Sequence, residues 1–408
     1  MWKTVKLGDL CETITKGTTP TSVGFKFTSE GINFVKVESL AADGTFITSK
    51  FAKINSECHE ALKRSQLKEG DILFSIAGAL GRTAIVTKDV LPANTNQALA
   101  IVRLKESIEV DKRFLLYVLN SESTKEQSDL NKSGVAQQNL SLTQLKNYGI
   151  SLPPLAEQQR IVAKLDAAFA EIDKANQLND KRTKEVKNLI AKSQNQLFLS
   201  ISETATVMRL GDIAKFENGD RGKNYPSKKY QIDEGIPFVN AGDFSLDGDI
   251  ETQRMVYISE ERFNLLGAGK FKIDDVLFCL RGSLGKSAIN KSIEIGAIAS
   301  SLVILRAKQS IVSSDYLFAY VRSDIVKNLI AQTAGGAAQP NLSAKVVSNY
   351  AIPVPPLKEQ QRLTEKFWLI REKGLVALDR ILQKSQHLIE LKAAILAKEL
   401  QRKESEAA

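Results

Sequence analysis

The sequence predicts an α+β protein with two tandem mixed α/β domains, separated and followed by long helices, and with internal pseudo-twofold symmetry. Three observations predict this fold class. The second half of the chain repeats the first, and each half begins with short β-rich segments divided by glycines. Each half also ends in a proline-free helical segment of roughly 45 to 50 residues. A chain of 408 residues is long enough for each domain to bury its own core.

The repeat relates residues that lie 202 to 204 positions apart. DILFSIAGALGRTAI (71–85) returns as DVLFCLRGSLGKSAI (275–289), and the strongest match pairs residues 133–165 with 335–367. A period of about 200 residues is too long for a solenoid and indicates a duplicated two-part unit. Two such units can pack about a pseudo-twofold axis and match a partner that has two equivalent sites. The alternative is a duplication that is kept for stability alone.

Each mixed domain is predicted from alternating β-rich and helical segments. In the first half, β-rich runs at 32–37, 71–76 and 98–104 are divided by glycine turns, and a helix is expected at 112–120. The matching helix of the second half is expected at 316–323. We place the first mixed domain at 1–152, the first helix at 153–203, the second mixed domain at 204–354 and the second helix at 355–408.

The two helical segments begin after proline pairs, because proline is tolerated in the first helical turn but not inside a helix. These pairs are Pro153-Pro154 and Pro355-Pro356. Apolar side chains then recur at three- and four-residue steps, which predicts a coiled-coil-like seam about 70 Å long at 1.5 Å per residue. Polar residues and a glycine interrupt the seams, so a local bend or a register-setting contact is expected at Asn176, Asn179, Asp180 and Gly374.

The composition favours an acidic partner and a reducing compartment. The formal net charge is +9, and the excess is spread along the chain, so only the fold could gather a basic surface. The three cysteines form no CxxC pair, and two histidines are too few for a histidine-based metal site. No apolar signal core or membrane-spanning run is apparent, which leads us to expect a soluble, cytoplasmic protein.

Motifs for catalysis are absent from the sequence. The Pro-Pro pairs stand in LPPL (152–155) and VPPL (354–357), which lack the polar and aromatic neighbours that adenine methyltransferases use to hold a flipped base. There is no GxxxxGK[ST] phosphate loop, no dinucleotide fingerprint and no acidic cluster resembling a two-metal nuclease site. We therefore expect no catalytic residue and no metal site in this chain. A self-sufficient methyltransferase or nuclease whose site has no local signature is the less favoured alternative.

A resemblance to a known family is clearest where each mixed domain meets its helix. The segments there are NLSLTQLKNYGISLPPLAEQQRIVAKLD (139–166) and NLSAKVVSNYAIPVPPLKEQQRLTEKF (341–367). Both closely resemble the junction between target-recognition domain and conserved helix in specificity subunits of type I restriction-modification systems. The resemblance covers essentially the whole chain and includes KGTTP (16–20), AGALGRTAI (77–85) and NTNQALAIVRL (94–104).

The second domain departs from the first at two places within this resemblance. NGDRGKNYPSKKY (218–230) stands where the first domain has KGTTP, and Ser300-Ser301 replace Asn96-Gln97. These departures fit two domains that read different sequences.

The resemblance implies a sequence-specific DNA-binding subunit. In this family the two helices pair as an antiparallel coiled coil that spaces the recognition domains about one DNA turn apart, near ~34 Å. The target is bipartite, with an unread gap whose length the helices set. Two modification (methyltransferase) subunits dock and methylate one adenine in each half, and restriction (motor-nuclease) subunits then join. S-adenosylmethionine, ATP and Mg²⁺ belong to those partners, and no cofactor is expected in this chain.

Side-chain chemistry predicts the DNA-contacting residues, because phosphates need Lys or Arg and base edges need planar donors and acceptors. In the first domain they are Lys16, Thr18, Thr19, Arg82, Asn94, Asn96, Gln97, Gln137 and Gln138. In the second domain they are Arg221, Lys223, Asn224, Lys228, Lys229, Arg281, Lys286 and Gln339. The alternative for each is an ordinary solvated loop residue.

Repeated polar residues at the start of both helices are candidates for the domain–helix joint or for a partner interface. They are Gln158, Gln159, Arg160, Gln360, Gln361 and Arg362. Simple capping of the first helical turn is the alternative. A coiled-coil scaffold is the competing function, but a scaffold would not need two related yet divergent mixed domains.

Overall fold

The computed structural model describes residues 2–41, 43–130, 139–199, 201, 205–245, 247–253, 255–333 and 341–401. The chain forms two compact units. Unit 1 comprises Met1–Leu178 and Lys384–Ala408, and unit 2 comprises Asn179–Gln383. Both are mixed α/β units that share a pair of long helices, which confirms the predicted fold class.

Unit 1 contains two small sheets and a two-stranded pair. Its strands are β1 (Lys3–Lys6), β2 (Cys11–Lys16), β3 (Ile32–Val35), β4 (Ala52–Ile54), β5 (Ile72–Ser75), β6 (Thr83–Ile85), β7 (Ala93–Thr95), β8 (Leu99–Leu104) and β9 (Gly149–Leu152). Its short helices are α1 (Leu7–Leu10), α2 (Ser56–Ala61), α3 (Lys112–Leu119), α4 (Glu122–Leu130) and α5 (Leu142–Lys146). The sheet orders are β2-β8-β5-β6 and β4-β3-β7, and β1 pairs with β9.

Helix α6 (Leu155–Leu199) begins in unit 1 and ends in unit 2, and unit 2 then repeats the arrangement of unit 1 with one additional strand. Its strands are β10 (Thr206–Arg209), β11 (Ala214–Asn218), β12 (Ile236–Val239), β13 (Val256–Ile258), β14 (Lys270–Lys272), β15 (Val276–Cys279), β16 (Ser287–Ile289), β17 (Ile295–Ile298), β18 (Leu302–Ala307) and β19 (Ala351–Val354). Its helices are α7 (Leu210–Ile213), α8 (Glu260–Asn264), α9 (Ser314–Val321), α10 (Asp324–Thr333), α11 (Ala344–Ser348) and α12 (Leu357–Leu400). The sheet orders are β11-β18-β15-β16 and β13-β12-β17-β14, and β10 pairs with β19.

The core of each unit is built around a fully buried central strand. All four residues of β5 and all four of β15 are buried, because each strand lies inside its sheet and is covered on both faces. One face is covered by a largely buried helix, α3 in unit 1 and α9 in unit 2. Asp111 and Ser313 cap these helices by accepting backbone N–H groups, which fixes where each helix starts.

A buried ion pair occupies the same place in both units. Asp71, at the start of the DIL segment, is 1% exposed and accepts two hydrogen bonds from Arg103, at 2.7 Å each. In unit 2, Asp275 accepts from Arg306 at 2.8 and 2.6 Å and is also 1% exposed. Hydrogen bonding to the carboxylates raises the pKa of both arginines. Each pair joins a central strand to the neighbouring strand of the same sheet.

Replacing Arg306 with methionine should lower the free energy of unfolding of unit 2 by about 3–5 kcal/mol, because the buried Asp275 carboxylate would lose its charged partner. Urea unfolding followed by circular dichroism would measure the change. Lys308→Met is the matched control, since it removes an exposed charge two residues away. The double variant Asp275→Leu/Arg306→Met should recover much of the loss, because no unpaired charge is left. A loss below about 0.5 kcal/mol in Arg306→Met would contradict the buried-pair account.

The two long helices pack antiparallel. In unit 1, Lys164 Nζ lies 2.6 Å from Glu399 Oε1, and Lys392 Nζ lies 3.1 Å from Asp173 Oδ1. In unit 2, a Cβ added at Gly374 would lie 2.3 Å from Ile190 Cδ1, so the glycine permits close approach of the helices. Numbers rise along one helix as they fall along the other, as antiparallel pairing requires. Helix α12 continues through Gly374, which makes this residue a packing contact and not a helix break.

Candidate nucleic-acid interface

In unit 1, the loop after β2 lies against the turn after β7. Gly17 allows this contact, because a Cβ there would lie only 2.0 Å from the carbonyl oxygen of Thr95. The backbone N–H of Thr18 donates to the same oxygen at 3.1 Å. The Thr19 hydroxyl donates to the side-chain oxygen of Gln97. Two segments separated by almost eighty residues therefore form one surface.

This surface brings together five of the nine candidates in the first domain. They are Lys16, Thr18, Thr19, Asn96 and Gln97. Lys16 and Gln97 are exposed, and the other three are half-buried. Arg64, which is not among the predicted candidates, joins the group, because its guanidinium donates to the Thr18 hydroxyl at 3.4 Å. The group offers cations, hydroxyls and amides, which are the side chains that contact phosphates and base edges.

Asn94 must be removed from the candidates. It is fully buried in β7, and its amide donates to the Leu62 carbonyl at 3.1 Å and to the Ser65 hydroxyl at 3.2 Å. Its side-chain oxygen is hydrogen-bonded to His59. A side chain with no exposed surface cannot touch a duplex, so Asn94 holds the fold of this region together.

Unit 2 builds the corresponding surface with a longer loop. Gly219 repeats the role of Gly17, since a Cβ there would lie 2.4 Å from the carbonyl oxygen of Ala299. The Arg221 guanidinium donates to the Ser300 carbonyl at 3.2 Å. The Asn224 amide donates to the Leu265 carbonyl at 2.9 Å, which ties the loop to the segment after α8. The loop is thus anchored on both sides by backbone oxygens.

Four cations of this loop are exposed, namely Arg221, Lys223, Lys228 and Lys229. Asn224, Arg281 and Lys286 complete the candidates of unit 2 that the structure describes, and Arg281 is also exposed. Lys286 is half-buried and donates to the Ala241 carbonyl at 2.8 Å.

The equivalent Arg82 of unit 1 is half-buried as well and donates to the Leu40 carbonyl at 3.1 Å. Arg82 and Lys286 are less exposed than the loop cations and are therefore less able to reach a phosphate. Gln137, Gln138 and Gln339 lie outside the described residues.

The joint between each mixed domain and its helix is built around one buried glutamine. Gln158 is 1% exposed. Its side chain accepts from the Asp111 N–H at 2.9 Å and donates to the carbonyls of Glu109 and Pro153 at 3.3 and 2.9 Å. Gln360 is fully buried in unit 2 and makes the same three kinds of bond, to Ser313, Ile311 and Pro355.

The other four candidates at the helix starts point outward. Gln159, Arg160, Gln361 and Arg362 are exposed. Arg160 and Arg362 form ion pairs within the first helical turn, with Glu157 at 2.7 Å and Glu359 at 2.8 Å. The structure thus separates the six residues into two buried joint residues and four surface residues.

Within the described ranges, no group of three or more His, Cys, Asp or Glu side chains is arranged to hold a metal ion. The three cysteines are buried free thiols, and burial raises the pKa of each. None of the helices in the described part of the chain is both long and apolar enough to cross a membrane.

Comparison with known proteins gives the class of this fold. The family described as the type I restriction modification DNA specificity domain matches residues 1–188 and 202–367. The chain is 25% identical over 385 residues to the putative type I restriction enzyme MjaX specificity subunit of Methanocaldococcus jannaschii, covering 90% of this chain and 85% of that protein. It is 30% identical over 167 residues to the type I restriction enzyme EcoBI specificity subunit of Escherichia coli, covering 41% of this chain and 33% of that protein.

Solved structures share the fold over nearly the whole chain. One, from a study of complex assembly and conformational transition of the type I R-M system, aligns with a TM-score of 0.75 at 21% identity and covers 98% of this chain and 97% of its own. The HsdS subunit from Thermoanaerobacter tengcongensis aligns with a TM-score of 0.54 at 20% identity, covering 98% of this chain and 96% of its own.

The chain belongs to the type I restriction-modification DNA specificity domain family, whose model matches it in both halves. It is a DNA sequence-specificity subunit, and its place in a type I system implies assembly with DNA and with the other subunits of that system.

Proposed function

We propose that each unit reads one half of a bipartite DNA target and that the chain carries no catalytic site of its own. The observation that carries this proposal is the duplication of one architecture with divergent loops. Gly17 and Gly219 place a loop on the same turn of each unit, but the loops have different lengths and different side chains. A shared frame with different contact residues is what reading two different half-sites requires.

The residues proposed to contact DNA are the accessible members of the two loop surfaces. Loop cations would contact phosphates, and amides or arginines would contact base edges. In unit 1 they are Lys16, Thr18, Thr19, Asn96 and Gln97, with Arg64 added. In unit 2 they are Arg221, Lys223, Asn224, Lys228, Lys229 and Arg281.

The chemistry is proposed to reside in partners. Two modification subunits would methylate one adenine in each half of the target, and restriction subunits would cleave unmodified DNA. S-adenosylmethionine, ATP and Mg²⁺ would bind to those subunits. The sequence supports this assignment, because the loops that hold a flipped base or a nucleotide phosphate are missing from it.

The purified chain alone should show no methyltransferase, ATPase or nuclease activity on duplex DNA. Methylation should appear when modification subunits and S-adenosylmethionine are added, and it should occur only at target sites. Transfer of tritiated methyl groups, phosphate release and plasmid cleavage would measure the three activities. Turnover by the chain alone that a substitution within the chain abolishes would contradict the proposal.

A further inference from the structure

A half-buried aromatic ring at the end of the unit 2 loop, that of Tyr230, contacts two cations. The Arg262 guanidinium stacks on the Tyr230 ring, 3.6 Å from its centroid, and Lys229 Nζ lies 4.7 Å from the same centroid. Hydrogen bonding to Lys229 and its charge, followed by Arg262, lower the pKa of the Tyr230 phenol. Lys229 is among the candidates predicted from the sequence, whereas Arg262 and Tyr230 are not.

Arg262 is held by a firmly packed helix. It lies on α8, and the side-chain hydroxyl of the N-cap residue Ser259 accepts the Arg262 backbone N–H at 3.1 Å. The next residue, Phe263, is buried in a small cluster with Phe238. Tyr225, from the loop, packs edge-on against Phe238 with centroids 5.8 Å apart. The segments that carry Arg262 and Tyr230 are therefore packed against the same buried cluster.

The guanidinium of Arg262 has its charge available. In the described part of unit 2, Arg306 and Arg371 form ion pairs with carboxylates, whereas Arg262 forms none. Stacking on a ring fixes the plane of a guanidinium, and its five N–H donors allow further hydrogen bonds besides the one to the Tyr230 phenol. A fixed planar fork is the group that binds the O6 and N7 atoms of guanine with two hydrogen bonds.

Arg262 is also continuous with the proposed DNA surface. The Asp220 carboxylate accepts the Gly267 N–H at 2.9 Å, and Asn224 binds the Leu265 carbonyl at 2.9 Å. These bonds fasten the loop that carries Arg221 and Lys223 to the segment that follows α8. Cations of the loop and of α8 therefore lie on one surface.

Unit 1 has different chemistry at the equivalent positions. Arg262 is the third residue after the N-cap of α8. The third residue after the N-cap of α2 is Cys58, which is buried. The cation–ring pair there is Lys36 over Phe27, at 4.8 Å. Lys36 also lies 3.7 Å from Glu38, so its charge is partly compensated. Of these two equivalent surfaces, the one in unit 2 carries a stacked arginine and the one in unit 1 does not. This difference is expected of a residue that distinguishes the two half-sites.

We propose that Arg262, held flat on Tyr230, reads a base in the half-site of unit 2, and that Lys229 contacts a neighbouring phosphate. This inference rests on the proposed function. The base that a bidentate arginine selects is guanine, so one position of that half-site should be a guanine on one strand.

The test uses the full chain assembled with its modification subunits. Methylome sequencing with the wild-type chain first defines the two half-sites, and a wild-type assembly without a bipartite motif would refute the proposed function before any variant is compared. Binding of duplexes with single substitutions is then measured for Arg262→Ala, Arg262→Lys, Lys229→Ala and the control Lys308→Ala. Lys308 is an exposed cation that donates to the Asp212 carbonyl. It follows β18 at the Ala214 end of the β11–β18 pair, whereas the proposed DNA-contacting loop begins at the other end, at Asn218.

Arg262→Ala and Arg262→Lys should both reduce discrimination at one guanine of one half-site by about 5- to 150-fold, with the other half unchanged. Lysine keeps the charge but loses the planar fork. Lys229→Ala should weaken all duplexes alike and reduce the salt slope by about one. Lys308→Ala should match the wild type. Unchanged discrimination in Arg262→Ala, or affinity lost equally for all duplexes, would overturn base reading by Arg262. Wild-type discrimination in Arg262→Lys would also overturn base reading by Arg262, because lysine cannot form the bidentate contact.

Discussion

Exchanging residues 1–152 for the corresponding segment of another family member is expected to change one half of the methylated motif and to leave the other half and the gap unchanged. The segment ends at 152 because β9 (Gly149–Leu152) pairs with β1 (Lys3–Lys6), and both strands must come from one parent. The physical reason for modularity is the joint. Gln158 binds backbone N–H and C=O groups of the domain, and these groups are present whatever side chains the new domain carries.

Methylome sequencing of cells that carry the exchange variant with its partner subunits would measure the result. The matched control is the exchange of residues 206–354, which should change only the other half. Gln158→Ala, in the chain that is otherwise wild type, should weaken the joint and lower the stability of unit 1 by about 1–3 kcal/mol, since buried backbone groups would lose their partners. Simultaneous change of both half-sites in either exchange would contradict one-unit-per-half reading.

The fold was predictable from the sequence because its evidence is local or repeated. Helix α3 (Lys112–Leu119) appears within one residue of its expected bounds, and α9 (Ser314–Val321) begins two residues early. Each proline pair directly precedes a long helix, α6 starting at Leu155 and α12 at Leu357. Periodicity and proline placement are properties of a continuous stretch of chain, so one sequence is enough to read them.

The site was less predictable because its contacts join distant positions. Asp71 and Arg103 lie 32 positions apart, so nothing local marks Asp71 as half of a buried pair. Arg262 and Tyr230 are likewise separated by the strands β12 and β13, and only the fold brings them together. The prediction that Asn94 contacts DNA was wrong because a local pattern was misleading. NTNQ looks like a polar loop, but β7 turns the Asn94 side chain into the interior, where its amide is fully used.

The spacing of the half-sites is expected to follow the length of the paired helices. Four residues inserted between Leu178 and Asn179, and four between Gln383 and Lys384, fall where both helices pass from one compact unit to the other. Four helical residues add about 6 Å and about 40° of rotation. One base pair adds about 3.4 Å and about 34°. The paired insertion should therefore lengthen the unread gap by one or two base pairs and leave both half-sites unchanged.

A paired insertion of two residues is the sharper control. It adds only about 3 Å but rotates one unit by about 200°, which would turn one DNA-reading surface away from the duplex. We expect loss of methylation from this variant while circular dichroism shows both helices intact. The competing account is that the helices only hold partner subunits and that DNA bending, at a cost of about 1–6 kcal/mol, absorbs the change. On that account the four-residue variant would methylate sites with the original gap, because the DNA would bend to fit the longer helices and the number of base pairs between the half-sites would not change.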